Sequence, residues 1–264
     1  MNTGPFVRPR RVTAPPVRLV VIPHAGASGV AYHPLGRGLP ETWDLLLLDL
    51  PGRGRRHTRP ALENMADVVA LVTDDVAAWA DGTPLALFGH SLGGAVAFEV
   101  ARELERRGLP PVWTGVSGRV APDRRAAPGR LRPELPDEEL MAELAAMGGL
   151  PQRIHELPDF QDRFLGVLRS DLRVLADYRP APARPPLNGP LTVFGGTEDP
   201  LAPPYALEGW ARLTRGDHRR ILCRGGHFHF LGPAFEPFAR TLAQEIQRAL
   251  RASDLAREPV PEAG

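Results

Sequence analysis

Short apolar runs alternate with longer helical patterns along the chain, and this alternation restricts the fold more than any other feature. The runs are continuously apolar, which is typical of strands that are buried on both faces of a parallel sheet. They predict strands at residues 17–22, 43–48, 85–88, 112–117, 190–194 and 218–222. Helical spacing occurs at residues 65–80, 92–107, 205–213 and 235–250. The pattern predicts an α/β fold with a mostly parallel central sheet flanked by helices.

One long segment, residues 119–188, interrupts the alternation because it contains no strand pattern. It holds two helical patterns instead, at about 137–147 and 158–176. Asp137, Glu138 and Glu139 lie in the first turn of the earlier pattern, where acidic side chains complement the helix dipole. We interpret 119–188 as an inserted helical lid over the carboxyl edge of the sheet, where ligands of such folds bind.

The two ends of the chain differ in composition from the rest. Residues 1–16 carry Arg8, Arg10 and Arg11 among prolines, and we interpret them as a flexible arm. The adjacent Arg10 and Arg11 also fit a twin-arginine export signal, but the apolar run that follows is too short for one. Residues 253–264 are predicted to be a disordered tail, which leaves 17–252 as the α/β domain.

Every basic side chain apart from histidine is arginine, since the chain has 32 lysines and arginines together and none of them is lysine. This excludes a Schiff-base lysine and a phosphate-loop lysine. The formal net charge is +1, which argues against a nucleic-acid partner held by phosphate contacts.

The cysteine count and the lengths of the apolar runs indicate in which cellular environment the chain would fold. Cys223 is the only cysteine, so neither an intrachain disulfide nor a thiolate metal cluster can form, and a reducing, cytoplasmic environment fits. We expect Cys223 to be buried on its strand rather than to act as a nucleophile. No apolar run approaches the ~18 residues needed to span a bilayer, so no membrane segment is predicted.

The segment Gly89-His90-Ser91-Leu92-Gly93-Gly94 carries the strongest chemical signal. It directly follows a predicted strand and directly precedes a predicted helix, which is the setting of a nucleophile elbow. The turn is sharp, and flanking glycines are needed where a Cβ would meet neighbouring backbone. Ser91 is therefore the candidate nucleophile.

A serine nucleophile needs a histidine base and an acid that orients the base. Asp199 follows a predicted strand within Gly195-Gly196-Thr197-Glu198-Asp199-Pro200, and we assign it as the acid, with Glu198 as the rival. His227 lies in a glycine-rich loop after the last strand and is assigned as the base. For His229, between two phenylalanines, packing is the preferred role, and a zinc site with His227 lacks a third ligand at suitable spacing.

An oxyanion hole needs two N–H donors. Leu92 would supply one backbone N–H, at the start of the helix after Ser91. Ala25 would supply the other, from the loop after the first strand, residues 23–28. His24 and Ser28 are expected to shape that loop.

Five motifs together resemble the type II thioesterases of polyketide and nonribosomal peptide assembly lines. They are Pro23-His24-Ala25-Gly26, Asp49-Leu50-Pro51-Gly52-Arg53-Gly54-Arg55-Arg56, Gly89-His90-Ser91-Leu92-Gly93, Asp199-Pro200 and Gly226-His227-Phe228. Their order and spacing match over roughly residues 17–250, although Ala27 stands where the family usually has a second glycine. The resemblance implies an α/β-hydrolase fold with a helical lid.

The resemblance also implies a function, namely hydrolysis of acyl groups from the phosphopantetheine arm of an acyl or peptidyl carrier protein, which removes stalled or aberrant chains. The phosphopantetheine belongs to the substrate, so no cofactor and no metal are expected, and a monomer is assumed. An esterase, an acyl-coenzyme A hydrolase and a non-catalytic binding protein of the same fold are the alternatives.

Two further groups of residues each have two interpretations. Arg53, Arg55 and Arg56 either contact an anionic phosphopantetheine or acidic carrier, or form a solvated basic loop. Met141 and Met147 either line an acyl channel or pack within the lid.

Overall fold

The computed structural model describes residues 4–122, 130–150, 154, 158–180 and 184–257. One sheet of seven strands, in the order β1-β3-β2-β4-β5-β6-β7, forms the centre of this part. The strands are β1 Phe6–Val7, β2 Arg18–Ile22, β3 Asp44–Leu48, β4 Leu85–His90, β5 Trp113–Ser117, β6 Leu191–Gly196 and β7 His218–Cys223. All neighbouring pairs are parallel except β1 with β3.

Five α-helices connect and cover these strands in the described residues. They are α1 Met65–Ala77, α2 Leu92–Arg106, α3 Asp137–Ala146, α4 Pro158–Ala176 and α5 Phe235–Arg257. The segment Pro204–Leu213 is a 3-10 helix rather than the predicted α-helix, with prolines at its start. Another 3-10 helix, Gly29–Arg37, follows β2.

The core consists of one apolar cluster on each face of the sheet. Side chains of α1 and α2, among them the fully buried Val96 and Val100, pack on one face against β2, β4 and β5. On the other face α5 and the 3-10 helix Gly29–Arg37 pack around Phe88 and Phe194. Strands β2 to β6 are buried along their whole length, which confirms the expectation drawn from their continuous apolar runs.

The last strand departs from that expectation. Strand β7 lies at the sheet edge, and its residues are partly or fully exposed. The arginines Arg219 and Arg220 occupy this edge, where charge blocks pairing with a further strand. Cys223, expected to be buried, is only partly buried there, and desolvation raises the pKa of its thiol.

The interpretation of residues 1–16 as a flexible arm is wrong where the structure describes them. Phe6 is fully buried, and β1 pairs antiparallel with β3 through Phe6–Leu48 and Val7–Leu47. The Arg8 guanidinium then binds both carboxylate oxygens of Asp44 at 2.8 and 2.9 Å. Burial of one aromatic ring and one charge-assisted ion pair holds this segment on the sheet.

Helices α3 and α4 lie between β5 and β6, which confirms both helices predicted in the lid segment 119–188. They share a third apolar cluster, which contains Leu140, Leu144, Leu165 and Leu168. At the other end of the chain, α5 continues to Arg257, beyond residue 250 where the predicted helix ended. The tail predicted at 253–264 is therefore wrong at 253–257, which continue the helix, and the rest of it, 258–264, lies outside the described residues.

Candidate active site

Ser91 occupies a sharp turn between β4 and α2. Its backbone has φ 54° and ψ −113°, a conformation that non-glycine residues rarely adopt. A Cβ on Gly89 would lie 1.9 Å from the Gly93 carbonyl oxygen, and one on Gly93 would lie 2.0 Å from that of Ile22. The Ser91 N–H donates to the Ser117 carbonyl oxygen at 2.8 Å. The predicted nucleophile elbow is present, and its glycines are required by close backbone contact.

Asp199 and His227 form a buried pair at the same edge of the sheet. His227 Nδ1 lies 2.9 Å from Asp199 Oδ2, and both residues are 2% exposed. The other carboxylate oxygen accepts the N–H groups of Leu201 and Ala202. Burial raises the pKa of Asp199, but His227 and these two donors outweigh it, so the net pKa is lowered. An ionised carboxylate only accepts, so His227 donates from Nδ1 and keeps Nε2 free of a proton when neutral.

The sheet brings the loops after β4, β5, β6 and β7 together. These four strands are neighbours and parallel, so their carboxyl ends meet at one edge. A Cβ on Gly118, after β5, would lie 2.4 Å from the His90 ring and 3.1 Å from the His227 ring. The rings of His90 and His227 have centroids 4.7 Å apart. His227 therefore lies beside the residue that precedes Ser91.

The rival candidates are separated by their exposure and contacts. Glu198 is exposed, whereas Asp199 is buried against the histidine. His229 packs edge-on against Phe230 and Phe238, in agreement with the packing role expected for it.

Three other buried histidines, His24, His90 and His229, lie near His227, and their lowered pKa values keep them neutral at pH 7. Burial, with the charge of His227 as a smaller cause, lowers the pKa of His24 to about 3 and that of His229 to about 4. The same causes lower the pKa of His90 well below its ordinary value. His24 Nδ1 contacts the Tyr32 hydroxyl at 2.8 Å, and His90 Nδ1 contacts Ser117 Oγ at 3.0 Å.

These neutral histidines predict a loss of stability under mild acid. As the pH falls below about 6.5, each imidazole binds a proton in the unfolded chain but not in the folded one. The free energy of unfolding should therefore fall, by up to about 1.4 kcal/mol per pH unit for each histidine. Carboxylates with lowered pKa, such as Asp199 and Glu103, add to the loss only from about pH 5 downward. Urea unfolding between pH 7 and pH 5 would therefore measure the slope that the histidines cause.

A variant pair assigns this slope to the buried histidines. His229→Phe keeps a ring in the aromatic cluster and should reduce the slope by up to about 1.4 kcal/mol per pH unit, because one of the histidines with a lowered pKa is removed. His33→Asn, at an exposed histidine, should leave it unchanged. A slope that is the same in wild type and His229→Phe would contradict the assignment.

Two arginines of the run, Arg53 and Arg56, have a different role from both that the sequence suggested, whereas both interpretations stay open for Arg55. Arg53 is 7% exposed and pairs with Asp171 of α4, and Arg56 is 8% exposed and pairs with Asp75 of α1. Neither is a solvated residue or available to a phosphate. Arg55 is exposed and donates to the Gly4 carbonyl oxygen. The two buried guanidiniums fasten the loop after β3 to neighbouring helices.

Other residues of this region were predicted only in part or were missed. Met141 is 7% exposed within the apolar cluster of the lid and Met147 packs against it, which favours the packing interpretation. Asp49 accepts the N–H groups of Gly29 and Arg55 at 2.7 and 2.8 Å, and this shapes the loop after β3. Asp171 was missed, because nothing near it in the sequence indicates a partner.

Some features are not found in the described part of the chain. No group of three or more histidine, cysteine, aspartate or glutamate side chains suited to a metal ion occurs there. Among the helices of the same part, none combines the length and the apolar character that crossing a membrane requires.

The fold and the site together define the class of this protein. A mostly parallel sheet, a strained serine between a strand and a helix, and a buried Asp–His pair at the carboxyl edge are the features of an α/β-hydrolase. Within that class, the thioesterase domain family model matches residues 17–246. The chain belongs to the thioesterase family.

Individual relatives agree with this assignment. Thioesterase PikA5 of Streptomyces venezuelae is 36% identical over 214 residues, which are 81% of this chain and 75% of the relative. Gramicidin S biosynthesis protein GrsT of Aneurinibacillus migulanus is 29% identical over 232 residues, 88% of this chain and 90% of the relative. The solved structure of BorB, a type II thioesterase from the borrelidin biosynthetic cluster, superposes with a TM-score of 0.82 at 31% identity and covers 93% of this chain and 97% of BorB.

Proposed function

We propose that this chain is an editing thioesterase that hydrolyses acyl groups from the phosphopantetheine thioester of a carrier protein in polyketide or nonribosomal peptide biosynthesis. The observation that carries the proposal is the strained Ser91 at the end of β4, on the edge that also holds the hydrogen-bonded Asp199–His227 pair. Relatives that include a type II thioesterase from a biosynthetic cluster support the substrate class.

In the proposed acylation step, Ser91 Oγ attacks the thioester carbonyl carbon while His227 Nε2 takes the hydroxyl proton. The negative charge of Asp199 stabilises the imidazolium that forms, and its hydrogen bond orients the ring. The tetrahedral intermediate then breaks its C–S bond and releases the phosphopantetheine thiol, which receives the proton from His227. The product is an acyl ester of Ser91.

Deacylation repeats this chemistry with water as the nucleophile. His227 takes a proton from water, the oxygen adds to the acyl carbon, and the C–O bond to Ser91 breaks. Ser91 regains its proton from His227, and the free acid leaves. The protons come from the Ser91 hydroxyl in acylation and from the attacking water in deacylation, and His227 carries them in both steps, so the proposal includes neither a cofactor nor a metal.

Backbone amides of Ala25 and Leu92 are proposed to bind the oxyanion of both tetrahedral intermediates. Leu92 is the first residue of α2, where N–H groups have no partner within the helix and the helix dipole is positive. Among the described residues, the Ala25 N–H makes no hydrogen bond, whereas the next N–H, of Gly26, donates to Asp171. Both donors are therefore available to a substrate oxygen.

The proposed carrier partner is tested by presenting one short acyl group in three forms: on a carrier protein, on coenzyme A and as a simple oxygen ester. We expect kcat/KM to be highest for the carrier form, because only that form offers protein contacts in addition to the thioester. Ser91→Ala serves as the blank for all three substrates. Equal or better use of coenzyme A would instead indicate a general acyl-thioester hydrolase, and a preference for the oxygen ester would indicate an esterase.

Binding without catalysis is the remaining outcome. A wild-type chain that hydrolyses none of the three forms, and whose Ser91 is not labelled by a fluorophosphonate, would overturn the proposed enzyme. The oligomeric state belongs to the same proposal, which takes the monomer as the active form. Sedimentation of the active sample measures it.

A further inference from the structure

Asp171, on lid helix α4, is almost completely buried and makes three close contacts with groups outside its own helix. It is 2% exposed. Its Oδ2 accepts the Gly26 N–H at 2.7 Å and Arg53 Nη1 at 2.5 Å, and its Oδ1 accepts Arg53 Nη2 at 2.7 Å. A single carboxylate thus joins the lid, the loop 23–28 after β2 and the loop after β3.

The loop that Asp171 holds is the one that carries the Ala25 amide. Ala27 N–H donates to the His24 carbonyl oxygen at 3.1 Å, so residues 24–27 form a turn with Ala25 and Gly26 at its centre. Gly26 has φ +79°, which is typical of the third residue of a type II turn. In type I and type II turns the peptide between the two central residues faces opposite ways. In the 24–27 turn this peptide carries the Gly26 N–H, which donates to Asp171 Oδ2.

Arg53 and the lid core restrain the same turn from other sides. Arg53 Nη1 also lies 3.4 Å from the Ala27 carbonyl oxygen, so the ion pair contacts both a donor and an acceptor of the turn. A Cβ on Gly26 would lie 2.9 Å from the Phe164 ring of α4, which shows how closely the helix covers the turn. Ala25 itself packs against the apolar cluster of the lid.

We infer that Asp171, with Arg53, is a positioning residue for the oxyanion hole: by accepting the Gly26 N–H it anchors the 24–27 turn, and this fixes the position of the adjoining His24–Ala25 peptide, whose N–H is the proposed oxyanion donor. This inference rests on the proposed function, because it requires Ala25 to be an oxyanion donor. Asp171 does not touch the substrate. It acts through the Gly26 amide. The position of α4 against the loop 23–28 therefore affects the geometry of the oxyanion hole.

The inference predicts a loss in kcat rather than in substrate binding. Loss of one oxyanion donor lowers kcat by about 10²–10³-fold in a related site, and a misdirected donor should lose part of that. We expect Asp171→Ala to lower kcat by about 10- to 100-fold with KM changed less than about threefold. Asp171→Asn keeps an oxygen that can accept the Gly26 N–H but loses the charge opposite Arg53. It should recover part of the activity.

A second readout separates positioning from general destabilisation. A trifluoromethyl ketone that carries the same acyl chain forms a tetrahedral adduct with the serine, and the oxyanion hole stabilises its oxygen. Its Ki should rise in Asp171→Ala by about the factor by which kcat falls. Circular dichroism and thermal unfolding show whether each variant is folded at the assay temperature.

The chain offers a matched control in Asp75→Asn. Asp75 pairs with Arg56 at 2.6 Å, so this variant also breaks an Arg–Asp pair between the loop after β3 and a helix, with side chains 9% and 13% exposed. It does not contact the 24–27 turn. We expect a lower melting temperature for Asp75→Asn but an unchanged kcat and an unchanged Ki.

The outcomes distinguish this inference from the proposed function. If Ser91→Ala retains turnover, the proposed function fails. If Ser91→Ala is inactive while folded Asp171→Ala keeps the wild-type kcat and Ki, or loses kcat without a change in Ki, the positioning role alone is overturned. If Asp171→Ala does not fold, Asp171→Asn decides: a parallel change in kcat and Ki supports the role, and wild-type values for both overturn it.

Discussion

Replacing Ser91 with alanine is expected to lower kcat by about 10⁶-fold, which would leave a residual rate of about 10³–10⁴ over water from binding and the oxyanion hole. The large factor follows from the removal of the only atom that forms the acyl intermediate. Alanine keeps the Cβ, so residue 91 must still adopt φ near 54°. The backbone strain is therefore the same in both proteins, and the melting temperature should change little.

Steady-state hydrolysis of an acyl-carrier thioester measures this loss. Labelling of the wild type with a fluorophosphonate, followed by peptide mass spectrometry, should place the label on Ser91 and on no other serine. A folded Ser91→Ala protein with turnover within tenfold of wild type would show that another residue is the nucleophile.

Replacing Asp199 with asparagine is expected to lower kcat by about 10⁴-fold with little change in KM. The side chains have the same shape, so the buried site stays filled. The amide cannot stabilise an imidazolium, and its N–H₂ group facing Nδ1 favours the histidine tautomer with the proton on Nε2. In that tautomer His227 cannot accept the Ser91 proton.

Glu198→Gln is the matched control for this second prediction. It makes the same chemical change at the adjacent carboxylate, which is exposed. Its kcat should remain within about twofold of wild type. The reverse result, with a large loss for Glu198→Gln and a small one for Asp199→Asn, would assign the orienting acid to Glu198.

The central part of the fold could be predicted because its signals are local. Each of the strands β2 to β6 coincides with an apolar run, within one or two residues at either end, and β7 coincides with the strand predicted at 218–222. Strand β1 was missed, since two residues carry no periodicity and its prolines suggested an arm. What holds it is the distant Asp44, which no local pattern reveals.

The candidate site likewise contains residues that local patterns indicate and residues whose roles depend on distant partners. Ser91, Asp199 and His227 each follow a strand in a glycine-rich turn, so their positions could be predicted from the order of elements. The roles of Arg53 and Arg56 could not. A cluster of arginines has the same appearance in a sequence whether it faces solvent or a buried carboxylate, and Asp171 lies 118 residues from Arg53 along the chain.

The paired strand β1 bears on how such a domain would be transplanted between assembly lines. The match to the family begins at residue 17, yet Phe6 and Arg8 already belong to the sheet and its ion pairs. A boundary drawn at residue 17 would leave the backbone of β3 as an unpaired edge and leave the fully buried Asp44 with Arg18 as its remaining cation. A graft that begins before Phe6 keeps β1, which pairs with β3 and covers this edge of the sheet.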